Sequence, residues 1–169
     1  GRLESGLAYG SNTGRMHARQ PWIVRLRYPT PAIVQGLHDP VLRLYCTLRF
    51  ALQSNVTSIT TANPSTILLM AKRLEEWSSD LSADMEAGEI RRGPAANLSP
   101  ADRKKLERKT RRVQAPDSWK MAEIWPLVSI HCWKGGSAGF FLEQFPQALG
   151  ADIPVREVGI TASEGYFAL

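Results

Sequence analysis

Apolar residues return at three- and four-residue steps twice in the first half of this chain. In DPVLRLYCTLRFALQS, the residues Val41, Leu44, Tyr45, Leu48 and Leu52 share one stripe, which predicts a helix with a single buried face. Asp39 followed by Pro40 is its start signal, an N-cap and then proline at the first helical position. Asn63 and Pro64 repeat that signal. Ile67, Met70, Leu74, Trp77, Leu81 and Met85 then predict one long amphipathic helix, closed by Gly88 as a C-terminal cap. Between the two helices, VTSITT is a short β-branched run and reads as a strand.

Elsewhere the pattern is sparser. Residues 1–36 are loop-rich: YGSNTG suits turns, and QPWIVRLRYPTPAIV alternates apolar and basic positions like a strand until prolines interrupt it. Ser99, Pro100 and Asp102 approach a capping box and open a helix over 99–113. Only Leu106 and Val113 are apolar there, so a solvated surface helix is expected. After AEIWP come the strand LVSIHCW, the glycine turn KGGSAGFF, and a short helix FFLEQFPQAL with Pro146 late in it or ending it. IPVREVGI reads as a further strand, and ASEGYFAL as a turn leading toward one more. Strands alternating with helices imply an α/β fold, a mostly parallel sheet flanked by helices with right-handed crossovers.

Composition narrows the class. The chain has 169 residues, 43% of them hydrophobic and 22% charged, which suits one ordinary domain with a core. No apolar run reaches the roughly 20 residues that span a bilayer, and no secretory signal pattern opens the chain. Cys46 and Cys132 make neither a disulfide framework nor a CxxC motif, so the expected compartment is the cytoplasm. The net charge of +5 is local, concentrated in ADRKKLERKTRR, and marks a basic surface-helix insertion at 89–118. The first residue is Gly rather than Met, and the chain reads as a segment of something longer.

Two loops carry candidate chemistry. In Gly135-Gly136-Ser137-Ala138-Gly139, adjacent glycines let backbone amides approach an anion, although a tight turn needs the same residues. No Lys-Ser or Lys-Thr follows, so this is not a GxxxxGKS phosphate loop. In Thr161-Ala162-Ser163-Glu164, small residues admit a ring or a phosphate, Ser163 offers a hydroxyl, and Glu164 a hard oxygen for Mg²⁺; an ordinary solvated loop reads the same way. Each loop follows an apolar strand, so both are expected at one carboxyl edge of the sheet, where α/β ligands sit. His17, His38 and His131 are scattered, Cys46 reads as core, and Cys132 has no base fixed beside it. The tryptophans do not interleave with the basic run, which weakens a nucleic-acid reading. A non-enzymatic fragment, or a module binding nucleic acid or an acidic surface through 99–113, is the alternative. If the basic run is just a solvated face, deleting 99–113 is expected to leave folding and any ATP binding largely unchanged.

Taken in order, LRLYCTLRFAL, VTSITTANPSTILLMAKRLEEW, SADMEAGEI, AEIWP, KGGSAGFF and ITASEGYFAL resemble the auxin-responsive acyl-acid amido synthetases, the Gretchen Hagen family of adenylate-forming ligases. The likeness runs from about Asp39 to Leu169 apart from the basic insertion, and its most specific part is Ile160-Thr161-Ala162-Ser163-Glu164-Gly165-Tyr166-Phe167, close to the family's Tyr-x-x-Ser/Thr-Glu motif. The resemblance implies that Glu164 helps hold Mg²⁺·ATP, that Ser163 lies near the α-phosphate, and that Gly135, Gly136 and Ser137 wall the adenine and acyl pocket. Ile160 stands where the family has an aromatic residue, so it would cover the adenine without stacking; Thr161 and Ala162 complete the nucleotide-binding turn. The implied substrates are a small carboxylic acid, ATP, and an amine or amino acid, joined through an acyl-adenylate. The family's upstream Ser/Thr/Gly phosphate loop and its small lysine-bearing C-terminal domain are not in these residues. The expectation is therefore the central part of an incomplete N-terminal domain, which does not complete the reaction alone.

Overall fold

The computed structural model describes residues 21, 27–162 and 165–168, with 160–162 and 165–168 described through their backbone. YGSNTG, His17 and most of the alternating run QPWIVRLRY lie outside the described residues. Its end does not: Ala32–Gln35, expected in or near a strand, is a short helix (α1) that begins directly after Pro31.

Helix α2 (Pro40–Ala51) starts as its sequence dictates. The Asp39 carboxylate accepts from the amides of Val41 at 2.8 Å and Leu42 at 3.3 Å, filling two donors that the first turn leaves open. The buried stripe is displaced by one residue at its start. Val41 is 45% exposed and Leu42 goes inward, followed by Tyr45, Cys46, Leu48 and Arg49. Strand β1 (Ser58–Thr60) leads to α3 (Pro64–Glu76), capped by Asn63 on the Ser65 amide at 3.0 Å.

The expected long helix is two helices. It breaks at Trp77 (φ −99°, ψ 11°), and α4 (Ser78–Ala87) continues to Gly88, which takes the left-handed cap at φ 72°. At the break the Trp77 ring meets Tyr45 edge-on at 5.5 Å and lies under the Arg73 guanidinium at 5.2 Å. After a 3-10 turn (Gly93–Asn97) comes α5 (Pro100–Glu107), shorter than the expected 99–113. Helix α6 (Met121–Ile124) precedes β2 (Ser129–Cys132). Beyond it, α7 (Gly139–Leu142) and α8 (Phe145–Leu149) replace the single expected helix, with Pro146 opening the second rather than ending the first. The chain then runs into β3 (Val155–Glu157).

The three strands form a parallel sheet in the order β1-β2-β3, with Ile59, Ile130 and Val155 in register. Strand order follows chain order, so right-handed crossovers put the intervening helices on one face. Accordingly α3 packs against α7 and α8. On that face Ile130 and Cys132 are fully buried. The opposite face carries Ser58, Thr60, Ser129, His131 and Arg156, from half-buried to exposed. This is the α/β architecture expected from the sequence.

A second sheet pairs β4 (Ile160–Ala162) antiparallel with β5 (Gly165–Ala168). The run IPVREVGI is therefore two strands rather than one, divided at Gly159, whose φ of 83° suits a residue without Cβ. Among the described residues, no helix is long and apolar enough to cross a membrane.

Candidate functional site

Beyond the carboxyl ends of β1 and β2 the ladder continues for a few residues. The Thr61 amide donates to the His131 carbonyl and the Trp133 amide to the Ala62 carbonyl, both at 2.9 Å. The first chain then turns into α3, and the second runs through Lys134 into the glycine loop. Residues 133–137 are all exposed. Gly136 adopts φ 59°, which favours glycine; Gly135, at φ −76° and ψ 161°, is in ordinary extended backbone.

What surrounds each glycine separates two roles. A Cβ at Gly88 would lie 2.8 Å from Arg112 Cγ, one at Gly93 2.6 Å from Asp80 Oδ2, and one at Gly150 2.8 Å from Lys120 Cβ. Those three also take positive φ, so backbone and close neighbours both favour glycine there. At Gly135, Gly136 and Gly139 a Cβ would meet nothing within 4 Å. Internal packing does not require these glycines; the left-handed turn explains only Gly136. They leave backbone facing open space at the carboxyl end of the central strand, with Trp133 and Phe140, 38% and 72% exposed, on either side of the loop in the chain. Exposed backbone of this kind lets an anion approach the amides. The Cys132 thiol is buried and its pKa is raised, by burial first and then by Glu157, which fits an inert residue rather than a nucleophile.

The second loop stands differently from expectation. Ile160, Thr161 and Ala162 are the residues of β4, which begins two residues after β3 of the parallel sheet but pairs in a hairpin sheet of its own. Ser163 and Glu164, which join β4 to β5, lie outside the described residues, as do the side chains of Ile160, Thr161 and Ala162. Magnesium takes one or two carboxylates beside substrate phosphates. Among the described residues no group of three His, Cys, Asp or Glu gathers to hold a metal. The described carboxylate at the end of β3, Glu157, already has both oxygens occupied by backbone amides. The carboxylate that the resemblance assigns to magnesium, Glu164, is not among the described residues.

Two features escaped the pattern reading. One is Glu157 itself, bonded to the amides of Lys134, Val158 and Gly159. The other is a buried polar network behind α2. Arg49, fully buried, donates through Nη2 to the carbonyls of Asp84 and Arg111, both at 3.0 Å, and through Nε to the Glu89 carbonyl at 3.1 Å. Asp84, 1% exposed, accepts from the Tyr45 hydroxyl at 2.9 Å and from the Arg91 and Arg92 amides. The available signal was positional: Arg49 stands four residues after Tyr45 on the buried stripe, and Asp84 three after Leu81.

That network corrects the reading of the basic run. Past Glu107 the chain is extended and docked. Gln53 bonds the Lys109 carbonyl and the Arg111 amide, and the Val113 amide donates to the Met85 carbonyl at 3.1 Å. Leu106 is fully buried. Lys104, Arg108, Lys109 and Arg111 still project into solvent. A shallow depression of about 270 Å³ beside this segment, lined by Glu86, Arg112, Val113 and Gln114, is built from none of the expected site residues.

Comparison with solved structures finds a similar fold in a GH3.15 acyl acid amido synthetase, with a TM-score of 0.74 at 15% identity. The match covers 98% of this chain and 32% of that one, so this chain spans about a third of the solved relative's length. No curated protein matches it in sequence. The GH3 family N-terminal domain matches residues 1–155, running through the basic segment and the glycine loop and stopping short of Ile160. With that domain matched over most of its 169 residues, the chain belongs to the GH3 family.

Proposed function

We propose that this chain is the central part of the N-terminal, ATP- and acyl-binding domain of an ATP-dependent acyl acid amido synthetase working in the cytoplasm. The observation that carries the reading is the glycine loop: Gly135, Gly136 and Gly139 stand at the carboxyl end of the central strand with nothing within 4 Å of their missing side chains. Family membership and the fold shared with an acyl acid amido synthetase support it.

In this reading the amides of Gly135 and Gly136 and the hydroxyl of Ser137 wall the adenine and acyl pocket. Ile160 would cover the ring, Thr161 and Ala162 would leave room for the nucleotide, Ser163 would serve the α-phosphate, and Glu164 would supply a carboxylate oxygen to Mg²⁺. The ion, when bound, offsets charge on the phosphates. The chain's own contribution is to hold an acid and ATP in line, since positioning supplies much of the rate of such a step. A carboxylate oxygen bonds to the α-phosphorus as pyrophosphate leaves. An amine or amino acid then bonds to the acyl carbon, AMP leaves, and the amine loses a proton. The 169 residues alone do not complete this sequence.

ATP–pyrophosphate exchange by the full-length polypeptide, across a panel of small carboxylic acids, tests the reading. Exchange should depend on one class of acid and fall about a hundredfold or more in Glu164→Gln, since metal stabilisation of phosphate charge amounts to several kcal/mol. Undiminished exchange in Glu164→Gln would remove that residue from the site, and exchange by the isolated 169 residues would contradict the division of labour.

A further inference from the structure

Glu157 ends β3 opposite Cys132, the last residue of β2. From that position its carboxylate reaches both neighbouring strand exits. Oε2 accepts from the Lys134 amide at 2.8 Å, where the chain leaves β2 for the glycine loop. Oε1 accepts from the amides of Val158 at 3.0 Å and Gly159 at 3.2 Å, where the chain leaves β3 for the hairpin that carries Ser163 and Glu164. Lys134 is held a second time, its ammonium donating to the Val155 carbonyl at 3.3 Å. Gly159 turns at φ 83° directly after this clasp, so the direction of departure is set there.

A carboxylate with three amide donors from two segments is a stiff junction, because hydrogen bonds to a charged acceptor are short and strong. The Glu157 side chain is exposed, so burial of its own surface does not explain its place. We infer that Glu157 is a positioning residue: it fixes the spacing between the glycine loop and the base of the hairpin, and thereby between the two halves of the ATP site. This rests on the proposed function above. It adds that the site's geometry is set at a residue that touches no substrate.

The test compares Glu157→Ala and Glu157→Gln in the full-length polypeptide. Displacing a reactive group by about 1 Å costs on the order of a hundredfold in rate. The expected result for Glu157→Ala is a loss of that order in kcat for pyrophosphate exchange, with a much smaller change in KM for the carboxylic acid. Glu157→Gln keeps one acceptor oxygen and should fall between alanine and the parent. Amide hydrogen exchange supplies a readout independent of activity: the Lys134, Val158 and Gly159 amides should lose protection in Glu157→Ala while those of α2 and α3 keep theirs. A parent-like kcat in either folded variant, or unchanged protection at the three amides, overturns the inference. Failure of the underlying reading shows separately, as undiminished exchange in Glu164→Gln while the three amides still respond to Glu157→Ala.

Discussion

Gly135 and Gly136 adjoin in the chain but predict opposite responses to substitution. Gly136 sits at φ 59°, so Gly136→Ala should cost about 1–2 kcal/mol of stability through the left-handed backbone alone. Gly135 is extended with open space around it, so even valine there should leave stability within about 0.5 kcal/mol. Denaturant unfolding of the two variants checks the pair. Behind α2, Tyr45 and Cys46 make stability sensitive to alkali. Burial, then the charge of Asp84 and its hydrogen bond, raises the Tyr45 hydroxyl, and burial followed by Asp84 pushes the Cys46 thiol up to about 12. Unfolded, these groups ionise near their ordinary values of about 10 and 8.5. Above those values the folded state holds more protons, so the stabilisation is complete at neutral pH and lost as pH rises through the alkaline range. Tyr45→Phe should cost about 1 kcal/mol at pH 7 and flatten that alkaline decline, as read from urea unfolding at several pH values.

Helix starts were legible because each is a local matter. Asp39, Asn63 and Ser99 all cap as their sequence context predicts, Ser99 Oγ accepting from the Asp102 amide at 3.1 Å. Interruptions were not, because the local pattern runs on through them. Trp77 fits the apolar period of a continuous helix, and neither glycine nor proline marks the break there, where its ring packs on Tyr45 of α2. Gly159 divides what reads as one strand. The basic run misled for a related reason. Its charge describes the solvent side correctly, while its backbone serves as a partner for Arg49 and Gln53, which no charge count reveals. Deleting 99–113 should therefore lower stability by several kcal/mol, since it takes away the Arg111 carbonyl that the buried Arg49 bonds and removes Leu106 from the core. Lys104→Glu with Arg108→Glu should leave thermal stability nearly unchanged, since both side chains stand in solvent. Equal, small effects of the deletion and the charge reversal would restore the picture of a loose surface insertion.

At the scale of the whole chain, the α/β architecture and the family could both be read from the residues, and the glycine loop lies where a strand followed by KGGSAG implies. The exits of β2 toward the glycine loop and of β3 toward the hairpin stand side by side at one sheet edge, as a parallel sheet implies, while Ser163 and Glu164 lie outside the described residues. The central claim is that the space at the glycine loop is kept for a nucleotide. ATP titration of the full-length polypeptide by calorimetry, parent against Gly135→Val, tests it most directly. The account predicts unchanged unfolding with ATP affinity weakened about tenfold or more, the size of roughly 1.4 kcal/mol of lost binding. Parent-like ATP affinity in a folded Gly135→Val variant would contradict it.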